Sequence, residues 1–162
     1  VLIGTVAVAA LMPQLVTPPA VVPGGRVILA RDAVPAFGQP PVRIGAPLVA
    51  EDQAFWIAEP VEGDVVAVQA SWSPSEGGPD CEVVAIPSIT GTLWSFSAEC
   101  PAGTELEGSA IFGPQGEPVA APRSLARYLV SVDGERVIVN VAREIRAYGA
   151  TPQPRVSPLG TP

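Results

Sequence analysis

CEVVAIPSITGTLWSFSAECPAGTELEGSAIFGPQGEPVAAP, residues 81–122, decides how the rest of the chain is read. It holds both cysteines, Cys81 and Cys100, the aromatic strand candidate Leu93-Trp94-Ser95-Phe96, and a series of glycine and proline turns. Short apolar runs punctuated in this way are strands and not helices. The stretch reads as two short β-hairpins, each ending in a loop, with one cysteine in each loop.

The composition extends that reading to the whole chain. Twenty prolines and sixteen glycines in 162 residues leave little room for long helices, and 48% apolar residues suffice to bury a core. The fold class expected is all-β. No lysine is present, so the nine basic residues are all arginine, and sixteen acids bring the net charge to −7. That balance argues against nucleic acid as a partner and suits either a basic partner, such as a small cationic electron carrier, or plain solubility. The chain also has no histidine. A Ser-His-Asp triad, a Cys-His pair and histidine-bound zinc or haem are thereby excluded.

Upstream, residues 1–22 carry no charge, and the first charged side chain is Arg26. VLIGTVAVAALM reads as apolar helix up to Pro13, where proline ends it. A spanning helix needs about 20 apolar residues, so residues 1–16 are expected to be a partial transmembrane anchor. The core of a signal peptide is the other reading. Both place the folded part outside the cytoplasm. Residues 17–25, TPPAVVPGG, read as a semi-rigid linker. Strands are expected at 27–30, 42–44, 54–58 and 65–70, with Gly63-Asp64 as the turn between the last two. Phe55 and Trp56 are adjacent and on a strand must face opposite sides, so one of them meets a second layer, a neighbour or water. Apolar runs at 128–132 and 136–141 flank Asp133-Gly134, the signature of a two-residue type I′ hairpin. AREIRAYG then reads as a short helical piece, and residues 150–162 as a proline-rich extended tail.

An ordered set of pieces resembles the Rieske iron–sulfur protein family, in particular its membrane-anchored subunits of the quinol–cytochrome c oxidoreductase type. The pieces are Ala54-Phe55-Trp56-Ile57, Gly63-Asp64-Val65-Val66-Ala67-Val68, Phe96-Ser97-Ala98-Glu99-Cys100-Pro101, Gly108 to Pro114, and Ala121-Pro122-Arg123-Ser124-Leu125 running into Tyr128. The resemblance implies an antiparallel β sandwich or barrel over residues 26–149, with a small inserted subdomain at about 72–122. The family holds its cluster with two boxes, each supplying one cysteine and one histidine. Here Ala98 and Pro101 fall on the ligand positions of the second box. In the first box those positions fall on Glu76 and Gly78 counting back from Cys81, or on Trp72 and Pro74 counting forward from the preceding strand. None of these six can ligate iron as the family's residues do, and no cofactor is expected.

What survives is the family's second pair of cysteines, which implies a Cys81–Cys100 disulfide standing in for the absent metal. Such a bond closes a loop of about 20 residues and stabilises by roughly 3 kcal/mol on chain-entropy grounds. The other reading is a pair of reactive thiols, for which no lysine or histidine is at hand to lower a pKa. The function implied is a cluster-less accessory subunit of a membrane-bound electron-transfer complex, not itself an enzyme. Its partners would be redox subunits and, through the N-terminal helix, membrane lipid. The alternative is a membrane-anchored extracytoplasmic binding module unrelated to electron transfer.

Other constellations read more plainly. Glu105 and Glu107, with Glu99 and Glu82, could bind calcium or act as an acid/base pair, but in an acidic protein they read as a solvated face. Arg123, Arg127, Arg143 and Arg146 read as surface partners of the abundant acids. Trp56, Trp72 and Trp94 serve either as interface anchors or as core. Gly113-Pro114-Gln115-Gly116 is a turn without the strand and helix that a phosphate loop requires.

Overall fold

The computed structural model describes residues 20–22, 25–88, 93–104, 106, 108–147 and 149–155. Among them the regular structure is β-strand, apart from two single 3-10 turns at Arg31–Ala33 and Glu51–Gln53. The strands are β1 (Ala20–Val22), β2 (Arg26–Ala30), β3 (Val42–Ile44), β4 (Phe55–Val61), β5 (Asp64–Gln69), β6 (Ser71–Trp72) and β7 (Cys81–Pro87). After these come β8 (Trp94–Glu99), β9 (Ala110–Phe112), β10 (Pro118–Ala120), β11 (Arg127–Asp133), β12 (Arg136–Ile145) and β13 (Gln153–Pro154). The expected anchor, residues 1–16, lies outside the described residues. Among the described residues no helix is long and apolar enough to cross a membrane.

All pairings are antiparallel and they build two sheets. The larger runs β1-β2-β12-β11-β5-β4-β3, with β13 on the flank of β12; the smaller runs β10-β9-β8-β7-β6. The smaller sheet is continuous in sequence and is inserted between β5 and β11. Those two strands pair directly with each other, Arg127 opposite Val68 and Tyr128 opposite Ala67. Ala70 is the corner between the sheets. Its N–H donates to the Ala54 carbonyl of the larger sheet, and its own carbonyl accepts from Val83 N–H of the smaller one, both at 2.9 Å.

The unbroken apolar run of β5 has a simple cause: the strand is covered on both faces. Val65 and Ala67 face one core with Phe55, Ile57, Tyr128 and residues of β2 and β12. Val66 and Val68 face the other, with Val83, Phe96, Ala98 and Phe112 of the smaller sheet. The larger sheet curves, so that Val27 and Leu29 at one end and Phe55 and Ile57 at the other meet in the same cluster. Phe55 and Trp56 divide between the two cores. Phe55 meets Tyr128 edge-on at 5.8 Å, while the Trp56 indole N–H donates to the Val83 carbonyl at 2.8 Å and ties the sheets together.

Three local expectations change. The β11–β12 turn is Gly134–Glu135, since Asp133 still pairs with Arg136. Only Gly134 takes a positive φ, +58°; glycine first and a negative φ second is the II′ pattern, not I′. The β4–β5 turn likewise sits one residue earlier than expected, at Glu62–Gly63, with Val61 opposite Asp64. The piece after Val141 is strand and not helix, because Glu144 and Ile145 are held by Tyr128 and Arg127 of β11. Tertiary pairing there outweighs a local helix preference that is weak over so few residues.

Both flanking segments join the larger sheet. Ala20–Val22, within the expected linker, pair with β2, and Gln153–Pro154, within the expected tail, pair with β12.

Candidate functional site

The smaller sheet positions two loops at one end. Residues 73–80 connect β6 to β7, and residues 100–109 connect β8 to β9. Cys81 opens β7 and Cys100 follows β8, one step beyond the cross-strand pair Glu82–Glu99. The two cysteines are joined by a disulfide, with an S–S distance of 2.02 Å and Cα atoms 4.3 Å apart. That Cα spacing is close to the ~4.5 Å of a non-hydrogen-bonded antiparallel pair. The bond therefore continues the β7–β8 ladder covalently and fastens both loop roots. Cys81 is buried in the inter-sheet core, and Cys100 packs against its edge.

Trp72 lies opposite Cys81 in register. Its ring meets Phe112 edge-on at 5.2 Å, and its indole N–H donates to the Ser124 carbonyl at 3.2 Å. It is a core residue that anchors the returning segment 121–126. Ala98 is fully buried within β8, opposite Val83, and faces the same core. Pro74, Glu76 and Gly78 lie on the first loop and Pro101 on the second. The first loop is folded on itself: Ser73 Oγ donates to the Ser75 carbonyl at 2.7 Å, and Gly78 N–H donates to the same oxygen at 3.1 Å. A Cβ on Gly78 would fall 2.7 Å from Ser75 Oγ and 2.8 Å from Ser73 Oγ, so any other residue there requires both hydroxyls to shift. Thus the six positions divide between core, Trp72 and Ala98, and loops, Pro74, Glu76, Gly78 and Pro101.

Charged groups near the loops are few. Glu82 and Glu99 face each other across β7 and β8 and are exposed; Glu105 and Glu107 lie outside the described residues. Among the described residues no three His, Cys, Asp or Glu side chains gather as a metal-holding group. An open groove beside the first loop is lined by Ser71, Ser73, Asp80, Arg123, Glu144 and Arg146. Within it Arg146 pairs with Glu144 at 2.6 Å, and Gln69 Nε2 donates to the same carboxylate at 2.9 Å. At the opposite end of the sheets, the seam between Pro60 and Trp94 holds a cavity of about 10 Å³, room for a single water at most.

The most buried charge among the described residues was missed in reading the sequence. Glu59 is 6% exposed. It accepts from Gly63 N–H at 2.6 Å and from the Arg31 guanidinium. These two contacts, the Gly63 N–H foremost, hold its carboxyl below the usual glutamate range against the opposing effect of burial. Arg31 follows β2 and Glu59 lies on β4, so the ion pair links two strands that are not neighbours in the sheet. An acid inside the apolar run AFWIAEPV was the available signal.

Chemically the loop end offers a covalently fastened surface of prolines, glycines and serines, with the Trp72 indole turned inward. No protein-family model, curated protein or solved structure matches the chain.

Proposed function

We propose that this chain is a cluster-less, Rieske-like accessory subunit of a membrane-bound electron-transfer complex, respiratory or photosynthetic. It packs on redox subunits and carries no electrons itself. One observation carries the reading: two loops fastened by Cys81–Cys100 at the end of an inserted antiparallel sheet, with no side chain at Trp72, Pro74, Gly78, Ala98 or Pro101 able to ligate a cluster. Glu76, the sixth position, is an exposed carboxylate on the first loop and no substitute for the soft thiolate and imidazole donors of such a cluster. A scaffold kept without its ligands is suited to docking, since the disulfide does the fastening that a metal would otherwise do. In this reading residues 1–16 anchor the chain in the cell membrane, with the β domain on the extracytoplasmic side.

The rival, an anchored binding module, calls for an apolar pocket able to enclose a small molecule. The cavity at the sheet seam is water-sized, and the larger hollows among the described residues are open to solvent and lined in good part by polar groups. Gentle detergent purification through this chain, with an absorption spectrum and subunit identification, separates the two. Haem bands and redox subunits at fixed stoichiometry are the expected result. A colourless chain purifying alone overturns the proposal, as does stoichiometric iron with a Rieske-type resonance in the isolated chain.

A further inference from the structure

One edge of β12 is shared by two segments. Residues 136–140 pair with β2, and Val141 N–H then donates to the Gly25 carbonyl at 2.8 Å. At Gly25 the chain turns away, with φ +77°, and a Cβ there would lie 3.0 Å from Ala142 Cβ. The C-terminal segment occupies the edge from that point. Arg143 is opposite Pro154, Glu144 is opposite Gln153, and Arg155 N–H donates to the Ala142 carbonyl at 2.9 Å. Arg155 directs its main chain at β12, so by strand alternation residues 152 and 154 face away. Both are proline, the residue that has no N–H to leave unpaired on an outer edge.

Beyond the strand, the Arg155 guanidinium reaches the 3-10 turn at Glu51–Gln53. It donates to the Asp52 carbonyl at 2.6 Å and to the Asp52 carboxylate at 3.2 Å. The Arg155 side chain is only 15% exposed. Close to this bridge lies Tyr128, 2% exposed, with its hydroxyl buried and without a hydrogen-bond partner. Burial raises its phenol to about 12; Arg155 works against that rise, and Glu144 and Asp52 add to it. Among the described residues the attachment consists of two strand residues, one further main-chain bond and one arginine.

We infer that residues 150–155 are a detachable latch over the Tyr128 end of the core. The edge it covers, residues 142–144 with Asp52 at the end, is an acceptor for an extended, arginine-bearing strand. The 150–155 segment of a second copy is the occupant whose fit the structure records in cis.

The test uses the full chain with Tyr148→Phe, which leaves Tyr128 as the one ionising phenol, and adds Arg155→Ala. At about pH 10.5 a phenol of pKa about 12 is about 3% ionised, and one of pKa about 10 roughly three-quarters ionised. Opening of the latch admits water to the hydroxyl and is therefore expected to raise the tyrosinate absorbance, by up to about 25-fold, with the far-UV circular dichroism of the parent retained. A peptide of sequence ATPQPR at a few mM, about the effective concentration a short tether provides, is expected to reverse the rise, and ATPQPA is not. If the latch does not open, removing the Arg155 charge pushes the phenol further up, so an unchanged or lower absorbance overturns the inference. A rise that ATPQPR fails to reverse overturns the acceptor. Should Arg155→Ala lose its β spectrum, Arg155→Met in the Tyr148→Phe background, which removes the same charge and keeps the apolar stem, gives the same readout.

Discussion

Replacing Glu59 by glutamine isolates the charge of the ion pair between β2 and β4 at nearly constant volume. The side chain is 5% exposed and Arg31 is 30% exposed, so the loss falls on a desolvated carboxylate whose partner can partly turn to water. Hydrogen bonds to a charged group contribute about 1.5–3 kcal/mol each and neutral ones about 0.5–1.5. Glutamine keeps one carbonyl oxygen for Gly63 N–H, and the net cost is about 2 kcal/mol. With a urea m-value of about 2 kcal/mol/M, the midpoint falls by about 1 M. The native carboxyl titrates below its unfolded value, so its stabilisation is fully present above about pH 5 and is lost as pH falls through the native pKa. The midpoint gap between parent and Glu59→Gln is therefore expected to be widest near pH 6 and narrower near pH 4, below the unfolded glutamate value. Urea unfolding followed by tryptophan fluorescence at both pH values provides the check. A variant as stable as the parent near neutrality, or a gap that does not narrow in acid, refutes the assignment of this pair as a structural tie.

Two further outcomes concern the loop end. Replacing Cys81 and Cys100 together by serine removes the closure of a loop whose ends are 19 residues apart, and is expected to cost about 3 kcal/mol; the urea midpoint of the parent should fall similarly when reductant is added, and that of the variant should not move. Glu99→Lys converts the exposed Glu82–Glu99 cross-strand pair from like to opposite charge and is expected to stabilise by about 0.5–1 kcal/mol, an increment that should shrink in high salt. No gain at low salt would mean that the two carboxylates do not face each other across β7 and β8.

Much of the architecture was legible from neighbouring residues. Phe55 next to Trp56 required a second layer, a neighbour or water for one of them, because strand side chains alternate with a period of two; that β5 is covered on both faces came from the folded chain. The proline and glycine spacing set the short strands. Turn positions were legible only to within one residue. Asp133-Gly134 carries the I′ signature, but the ladder from Val130–Val139 to Asp133–Arg136 fixes the register and moves the turn to Gly134–Glu135. The Ala142–Ile145 segment resembled helix because its local preference says nothing about the β11 edge waiting for it.

The chain by itself determined an all-β fold, a high density of turns and a histidine-free chemistry. These follow from composition and from contacts near in sequence. Which strands meet is a different matter. The pairing of β5 with β11 around β6 to β10, the Arg31–Glu59 tie, 28 positions apart, and the seating of Arg155 on Asp52, 103 positions apart, join residues distant in sequence. Such pairings depend on the curvature and register of the whole sheet, which no local stretch encodes, and only the folded chain decides them.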